Sequence, residues 1–428
     1  MLAACETAAE RGVTGRMTAK AASDWRIVAL AFGAGIVAAT HVGKLPPALT
    51  VLRLEIGAGL VTAGWIASTI AATGAALGLV GGAMADRIGP RRALAAGLAL
   101  LTLGSLLGSL AQGPAAMLAS RFVEGVGFTA ATVTGGVIVA RATAPTDRAR
   151  ALAVWASYMP LGFAGMTLAS AAGLEALGWR AIWLAAAAAT AGYAALAWRA
   201  TAGWAGGAPR RDAALTAAGD LARTLRQAGG VLVALAFGLY AAQHIGMMNW
   251  LPAYMAEVHA AGALAGAGAT AAVLFCNAGG NYAAAWAMGR GARVWALLSL
   301  GAAGMAVAEV AIFFGAPAPG PAGAAAAALL PWLVFGFAGG VVSGPALAAP
   351  PVYAPLPALV GTMSGLMVMG SNTGQLVGPP MLAAARKAAG GWDGAAWPML
   401  ALAAAGLASA LATRGFEARA RARAALAA

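Results

Sequence analysis

Few side chains in this sequence could do chemistry, and most of them stand inside long apolar runs. His41 and His244 are two of only three histidines, and a histidine changes charge near neutral pH. Either could couple solute movement to a proton, or serve as an interhelical hydrogen-bond donor. Arg121 and Glu124 are three residues apart and share a helical face, so they can pair. The pair could bind an anion or handle a proton, or it could only fix helix packing. Asn277 and Asn281 lie one turn apart, as do Asn372 and Gln375, while Gln243 and Asn249 flank a histidine. Such amides hydrogen-bond a polar solute or join helices. Tyr158 is a candidate wall residue. His259 is expected in a solvated loop, and Glu309, near the end of an apolar run, is expected to snorkel or meet a loop.

The surroundings of these residues define their solvent. The chain has 428 residues, 61% of them hydrophobic and 10% charged, with a mean hydropathy of +0.78. Soluble domains carry about 25% charged residues, so lipid must solvate most of this chain. Apolar runs continue over span length rather than alternating, which excludes a β-barrel. A net charge of +13 falls between the runs and reads as topology bias rather than as a nucleic-acid surface. Cys5 and Cys276 provide no disulfide framework, and no metal-ligand set, ATP-binding motif or nucleophile–base pair is visible. The expected protein therefore has no metal or cofactor and is not an enzyme.

Spanning runs fall near 26–42, 58–82, 93–112, 114–140, 151–173 and 179–198. A second set falls near 229–251, 262–288, 293–315, 324–345, 358–382 and 396–413. The expected fold is an all-α polytopic membrane protein of about twelve transmembrane helices. Its organisation is an N-terminal segment (1–25), a six-helix bundle (26–198), a central loop (199–228), a second bundle (229–413) and a tail (414–428). Residues 1–24 lack the apolar core of a signal peptide, so the first helix is expected to be an uncleaved anchor. With both termini and the central loop on one side, 21 Lys and Arg lie there, Lys44, Arg53, Arg180, Arg386 and Lys387 lie opposite, and Arg121 lies within a span. That bias places the termini in the cytoplasm of a bacterial inner membrane.

The halves repeat. Residues 35–43 and 238–246 both read G-x-x-A-A-x-H-[V/I]-G, in the first and seventh spans. Both spans run in the same direction, as in parallel repeats. Polar groups concentrate in spans 1, 4, 7, 8 and 11 and are sparse in 3, 6 and 12.

The loop after the second span reads Gly81-Gly82-Ala83-Met84-Ala85-Asp86-Arg87-Ile88-Gly89-Pro90-Arg91-Arg92. It resembles the signature loop of the major facilitator superfamily, with Met84 where leucine is usual. Gly82, Asp86, Arg87, Gly89, Arg91 and Arg92 are the matching positions and, by the resemblance, form a conformational gating loop. Arg121-Phe122-Val123-Glu124-Gly125-Val126-Gly127 is similar to a second element of that superfamily. The Gly-Pro motif of its drug–proton antiporters is missing from the fifth span, where Met159-Pro160-Leu161-Gly162 stands instead. The resemblance implies two pseudo-symmetric six-helix bundles around a cavity lined by spans 1, 2, 4, 5, 7, 8, 10 and 11. It implies alternating access without ATP, in a monomer whose partners are a small solute, a proton and the bilayer. Arg121, His41 and His244 against Glu124 alone lean the expected solute towards an anion taken up by proton symport. Proton-coupled efflux of a drug or metabolite is the alternative, and a non-transporting membrane sensor the third.

Overall fold

The structure, a computed structural model, describes residues 22–76, 89–144, 146–204, 217–315, 321–356 and 359–427. Among these residues no strand occurs, and nine helices are long and apolar enough to cross a bilayer. One of the nine, Val154–Ala200, breaks at Gly178 (φ 72°, ψ 161°) and supplies two spans. Leu60–Ala76 and the more polar Val360–Ala389 complete twelve. In chain order they are α1 (Trp25–Glu55), α2 (Leu60–Ala76), α3 (Pro90–Ser109), α4 (Pro114–Ala142), α5 (158–177) and α6 (179–200). The second half holds α7 (Ala228–His259), α8 (Ala263–Gly289), α9 (Val294–Phe314), α10 (Pro321–Ala348), α11 (Val360–Ala389) and α12 (Asp393–Ala412).

The first span departs from expectation. The expected end of the first apolar run is near residue 42, and the Pro46 and Pro47 that follow lack the N–H groups of a continuing helix. The helical path nevertheless runs on to Glu55, and Lys44 stands inside it, fully buried. Hydroxyls of α5 take carbonyls at this junction: Thr167 Oγ1 donates to Gly43 O (3.1 Å) and Ser170 Oγ to Lys44 O (2.9 Å). The Thr167 hydroxyl thus reaches the Gly43 carbonyl that Pro47, lacking an N–H, leaves open, as a membrane interior requires. Lys44 is therefore removed from the set of loop charges.

The internal repeat extends beyond its motif. His41 and His244 each stand 16 residues after the first residue of their helix, Trp25 and Ala228. At the far end of α1, Glu55 accepts from Trp179 Nε1 (2.5 Å) and pairs with Arg180 at the start of α6. At the far end of α7, Glu257 accepts from Trp392 Nε1 (3.0 Å), the residue just before α12, and pairs with Arg386 in the last turn of α11. Each half thus ties down the far end of its first helix with a Glu, an Arg and a Trp, the Arg coming from α6 in the first half and from α11 in the second.

The halves meet on the face opposite the termini. There α2 packs on α11, α5 on α8, and the outer part of α1 on α7. A Cβ on Gly64 would lie 2.6 Å from Pro380 Cα, so only glycine lets α2 lie this close to α11. Trp250 Nε1 donates to Pro379 O (3.1 Å) at the same level.

Two segments expected as solvated linkers contain helix. Ala217–Leu225 lies in the central segment, whose residues 205–216 fall outside the described set. The tail forms α13 (Arg414–Ala427), and its Glu417 is fully buried. The carboxylate accepts from Val294 N (3.2 Å) and Trp295 N (2.9 Å), the free donors at the start of α9, and from Arg421 (3.0 Å). Burial, with that carboxylate beside it, pushes the Tyr353 phenol above its usual range. Glu417→Ala should cost about 1–2 kcal/mol, the size of a lost helix cap. The check is thermal melting in detergent: the variant should melt lower than wild type, and Glu417→Gln should fall between them.

Candidate functional site

A cavity of about 560 Å³ lies between α5, α7, α8, α10 and α11. That volume suits a small organic molecule. Its lining runs from mid-span Phe163 and His244 to Leu152, Met288 and Ala348, at ends of spans on the face that carries both termini. The contacts between halves close the other face, so the cavity opens towards the termini.

Most of the wall is apolar. Its polar strip begins at Tyr240, whose OH accepts from Asn277 Nδ2 (3.0 Å); the same amide donates to Gly336 O (3.2 Å). Asn281 Nδ2 donates to Asn277 O (3.1 Å), and Ser343 Oγ donates to Asn281 Oδ1 (3.0 Å). Across the cavity Gln375 Nε2 donates to Ser371 Oγ (3.2 Å). His244 stacks between Tyr240 and Phe335, with ring centroids at 5.4 and 6.0 Å. Its Nδ1 is buried without a hydrogen-bond partner among the described residues. Among the described lining residues there is no Asp, Glu, Lys or Arg.

The charged groups form a separate cluster inside the first half, joining α1, α3, α4 and α6. Glu124 accepts from Lys44 Nζ (2.5 Å) through Oε1 and pairs with Arg121 through Oε2. Arg121 also donates to His41 O (2.9 Å) and Ile66 O (3.2 Å), and its Nη2 has no partner among the described residues. His41 Nδ1 lies 3.2 Å from both Glu124 Oε1 and Lys44 Nζ, and its Nε2 lies 2.8 Å from Thr190 Oγ1. Lys44 donates to Ser105 Oγ (2.7 Å) and sits 4.6 Å from the Trp183 ring centroid. His41, Lys44, Arg121 and Glu124 are all fully buried.

The expected site therefore divides. His244, Asn277, Asn281 and Gln375 come together at the cavity. His41, Arg121 and Glu124 come together behind it, and no described residue of α1, α2 or α4 is among the cavity lining in this conformation. Ser105 of α3 and Thr190 of α6 correct the reading of those spans as bare. Gln243 and Asn249 are buried and donate to their own helix, at Leu239 O (3.0 Å) and Ile245 O (2.9 Å). Asn372 donates to Val368 O (2.9 Å) and packs against Gly74. Tyr158 packs on Trp155, ring centroids 4.6 Å apart, and is not a wall residue. His259 is the exposed last residue of α7. Glu309 does not snorkel: it is fully buried, and neither oxygen has a partner among the described residues. Of the loop motif, Gly82, Asp86 and Arg87 lie outside the described residues. Gly89 makes a turn at φ 84°, Arg92 is exposed, and Arg91 donates to Trp198 O (2.8 Å) and Thr201 Oγ1 (3.2 Å), tying α3 to α6.

The sequence reading missed Lys44, Tyr240 and Ser343. Spacing held a signal for two of them: Lys44 is one turn from His41, and Tyr240 one turn before His244.

Comparison with known proteins matches this architecture. The chain is 31% identical over 174 residues to the cephamycin export protein of Amycolatopsis lactamdurans, covering 40% of this chain and 35% of that protein. It is 33% identical over 135 residues to EfpA, an uncharacterised transporter of Mycobacterium tuberculosis, covering 31% of this chain and 25% of the relative. The alignments thus span only about a third or less of these relatives. A bacterial homolog of the human lysosomal transporter Spinster, solved in an inward-facing, occupied conformation, superposes with a TM-score of 0.72. It shares 16% identity, covers 92% of this chain and 97% of its own, and is alike in fold. The family model of the Major Facilitator Superfamily matches residues 28–379. Twelve spans in two repeated halves, a cavity between them and this match together make the chain a member of the major facilitator superfamily of membrane transporters.

Proposed function

We propose that the chain is a proton-coupled secondary transporter that exports uncharged or weakly polar amphipathic small molecules by alternating access. The observation that carries this reading is the described cavity wall: aromatic and aliphatic, with one strip of amides and hydroxyls and no ionic side chain among the described residues. Such a wall hydrogen-bonds a few atoms and excludes water from the rest of the solute. An anion would enter without a counter-charge, which is costly in a largely apolar site. Arg121 and His41, two of the three groups that favoured an anion, are buried in the cluster, while His244 alone of them lines the cavity, so we favour neutral solutes over an anion. Export is supported by the cephamycin export relative. The charge bias places both termini in the cytoplasm of the inner membrane, so the cavity faces the cytoplasm in this conformation. We infer a monomeric transport unit, since both halves of one chain contribute to the described lining of the cavity.

A thermal-shift screen of the purified protein tests the solute class. Uncharged aromatic amides should raise the melting temperature, since a ligand that binds only the folded state stabilises it by mass action. Small carboxylates and inorganic anions should leave it unchanged. Stabilisation by carboxylates alone would reverse the assignment. Asn281→Leu removes a donor and an acceptor from the strip, and a hydrogen bond lost there is worth on the order of 1.5 kcal/mol. Titration of the best ligand against this variant should show a Kd weaker by about tenfold.

A further inference from the structure

The hydrogen-bond bookkeeping of the buried cluster locates a proton. Thr190 Oγ1 donates to Ala186 O (2.7 Å), so it must accept from His41 Nε2, which carries a hydrogen. Ser105 Oγ donates to Trp183 O (2.7 Å), so it must accept from Lys44 Nζ. Lys44 gives a second hydrogen to Glu124 Oε1. What remains is the 3.2 Å line between Lys44 Nζ and His41 Nδ1. One hydrogen fits there, on the ammonium pointing at an imidazole lone pair or on an imidazolium pointing at the amine. Without it, the bare Nδ1 faces the Glu124 carboxylate at 3.2 Å, lone pair against lone pair.

Charge counting points to the same hydrogen. With it, Lys44, Arg121 and His41 carry two positive charges between them against the single carboxylate of Glu124. Without it, Arg121 and Glu124 balance. No other charged side chain bonds to these four among the described residues. From α3 and α6 they meet only Ser105, Thr190 and the Trp183 ring, from α2 the Ile66 carbonyl, and α5 offers hydroxyls to the α1 backbone. Lys44 lies 11 residues before the end of α1 at Glu55, nearer the closed face than the termini.

We propose that the pair Lys44 Nζ–His41 Nδ1 is the proton-binding site of this transporter, with lysine rather than a carboxylic acid as the group that loads and releases the coupling proton. Glu124 and Arg121 are positioning residues that hold the pair and fix the charge against which the proton is added. The inference rests on the proton-coupled reading above for its role in transport, and on the cluster alone for the proton itself.

The test needs no solute. Proteoliposomes adsorbed on a solid-supported membrane are given a pH jump, and the transient displaced charge is recorded for the full-length chain. Wild type should displace charge, and Lys44→Arg, which stays ionised, should reduce it at least tenfold. Lys44→Gln keeps donors to Ser105 and Glu124 without a titrating proton and should do the same if arginine does not fit. Surface Lys387→Gln should match wild type. A wild type without a transient overturns the proposal. So does undiminished charge in both Lys44 variants, each checked to be monodisperse. Solute counterflow in the same vesicles is read separately. If the charge is lost in the variants but wild type moves no solute, the transport reading fails and the proton site stands.

Discussion

Glu124→Ala is expected to be the most destabilising single substitution in the first half of the protein. It removes the only acid from a buried cluster that also holds Lys44 and Arg121. Breaking a buried ion pair by deleting one partner typically costs about 3–5 kcal/mol, because the surviving charge keeps its desolvation penalty. Here two cations lose their partner at once. The loss should appear as a large drop in melting temperature in detergent and as reduced yield of monodisperse protein. Lys44→Met added to Glu124→Ala should recover part of that loss, since it removes one of the stranded charges. The single and double variants form a cycle whose coupling should be favourable by more than 1 kcal/mol, the range of directly contacting groups. Equal melting of Glu124→Ala and wild type would mean that the cluster is hydrated and that its charges cost little to separate.

The second large effect concerns Gly64. A leucine there would drive its Cβ into Pro380 and its branches further into α11, so α2 and α11 could no longer close together. Overpacking of a tight contact usually costs about 1–3 kcal/mol. In this place the cost falls on one conformation only, the one with the far face closed. A differential of that size shifts a two-state equilibrium by about 5- to 150-fold. Gly64→Leu should therefore bind ligand with a normal thermal shift, yet lose solute flux by a comparable factor. Unchanged flux would show that the α2–α11 contact is not part of the gate.

Much of the architecture was legible because the bilayer imposes it. Spans must be long, apolar and helical, and small residues mark where they touch. The repeated G-x-x-A-A-x-H element placed its two histidines at equivalent depth. It did not show that they do different work, since His41 is bound into the charge cluster and His244 faces aromatic rings at the cavity. The amides of α8 and α11 were visible as polar groups at helical spacing, and Asn277, Asn281 and Gln375 reach the cavity. Asn372 has the same spacing signal but turns to its own helix and to α2. Lys44 was hidden by Pro46 and Pro47, which locally read as a helix end. The helix continues there against the hydroxyls of Thr167 and Ser170, more than 120 residues away, which meet the Gly43 and Lys44 carbonyls. Such a pairing is set by tertiary contact and leaves no local mark.

Transport through the cavity between the halves requires that it open to each face in turn. Alkylation of a single cysteine tests it most directly. Asn281→Cys, in a background where Cys5 and Cys276 are serine, is exposed to a membrane-impermeant maleimide in inside-out and right-side-out vesicles. In the conformation described, Cys at this site should be labelled from the face of the termini, and Gly64→Leu should shift labelling to the opposite face. Labelling of wild type from the far face alone, or the same pattern with and without Gly64→Leu, would contradict the account.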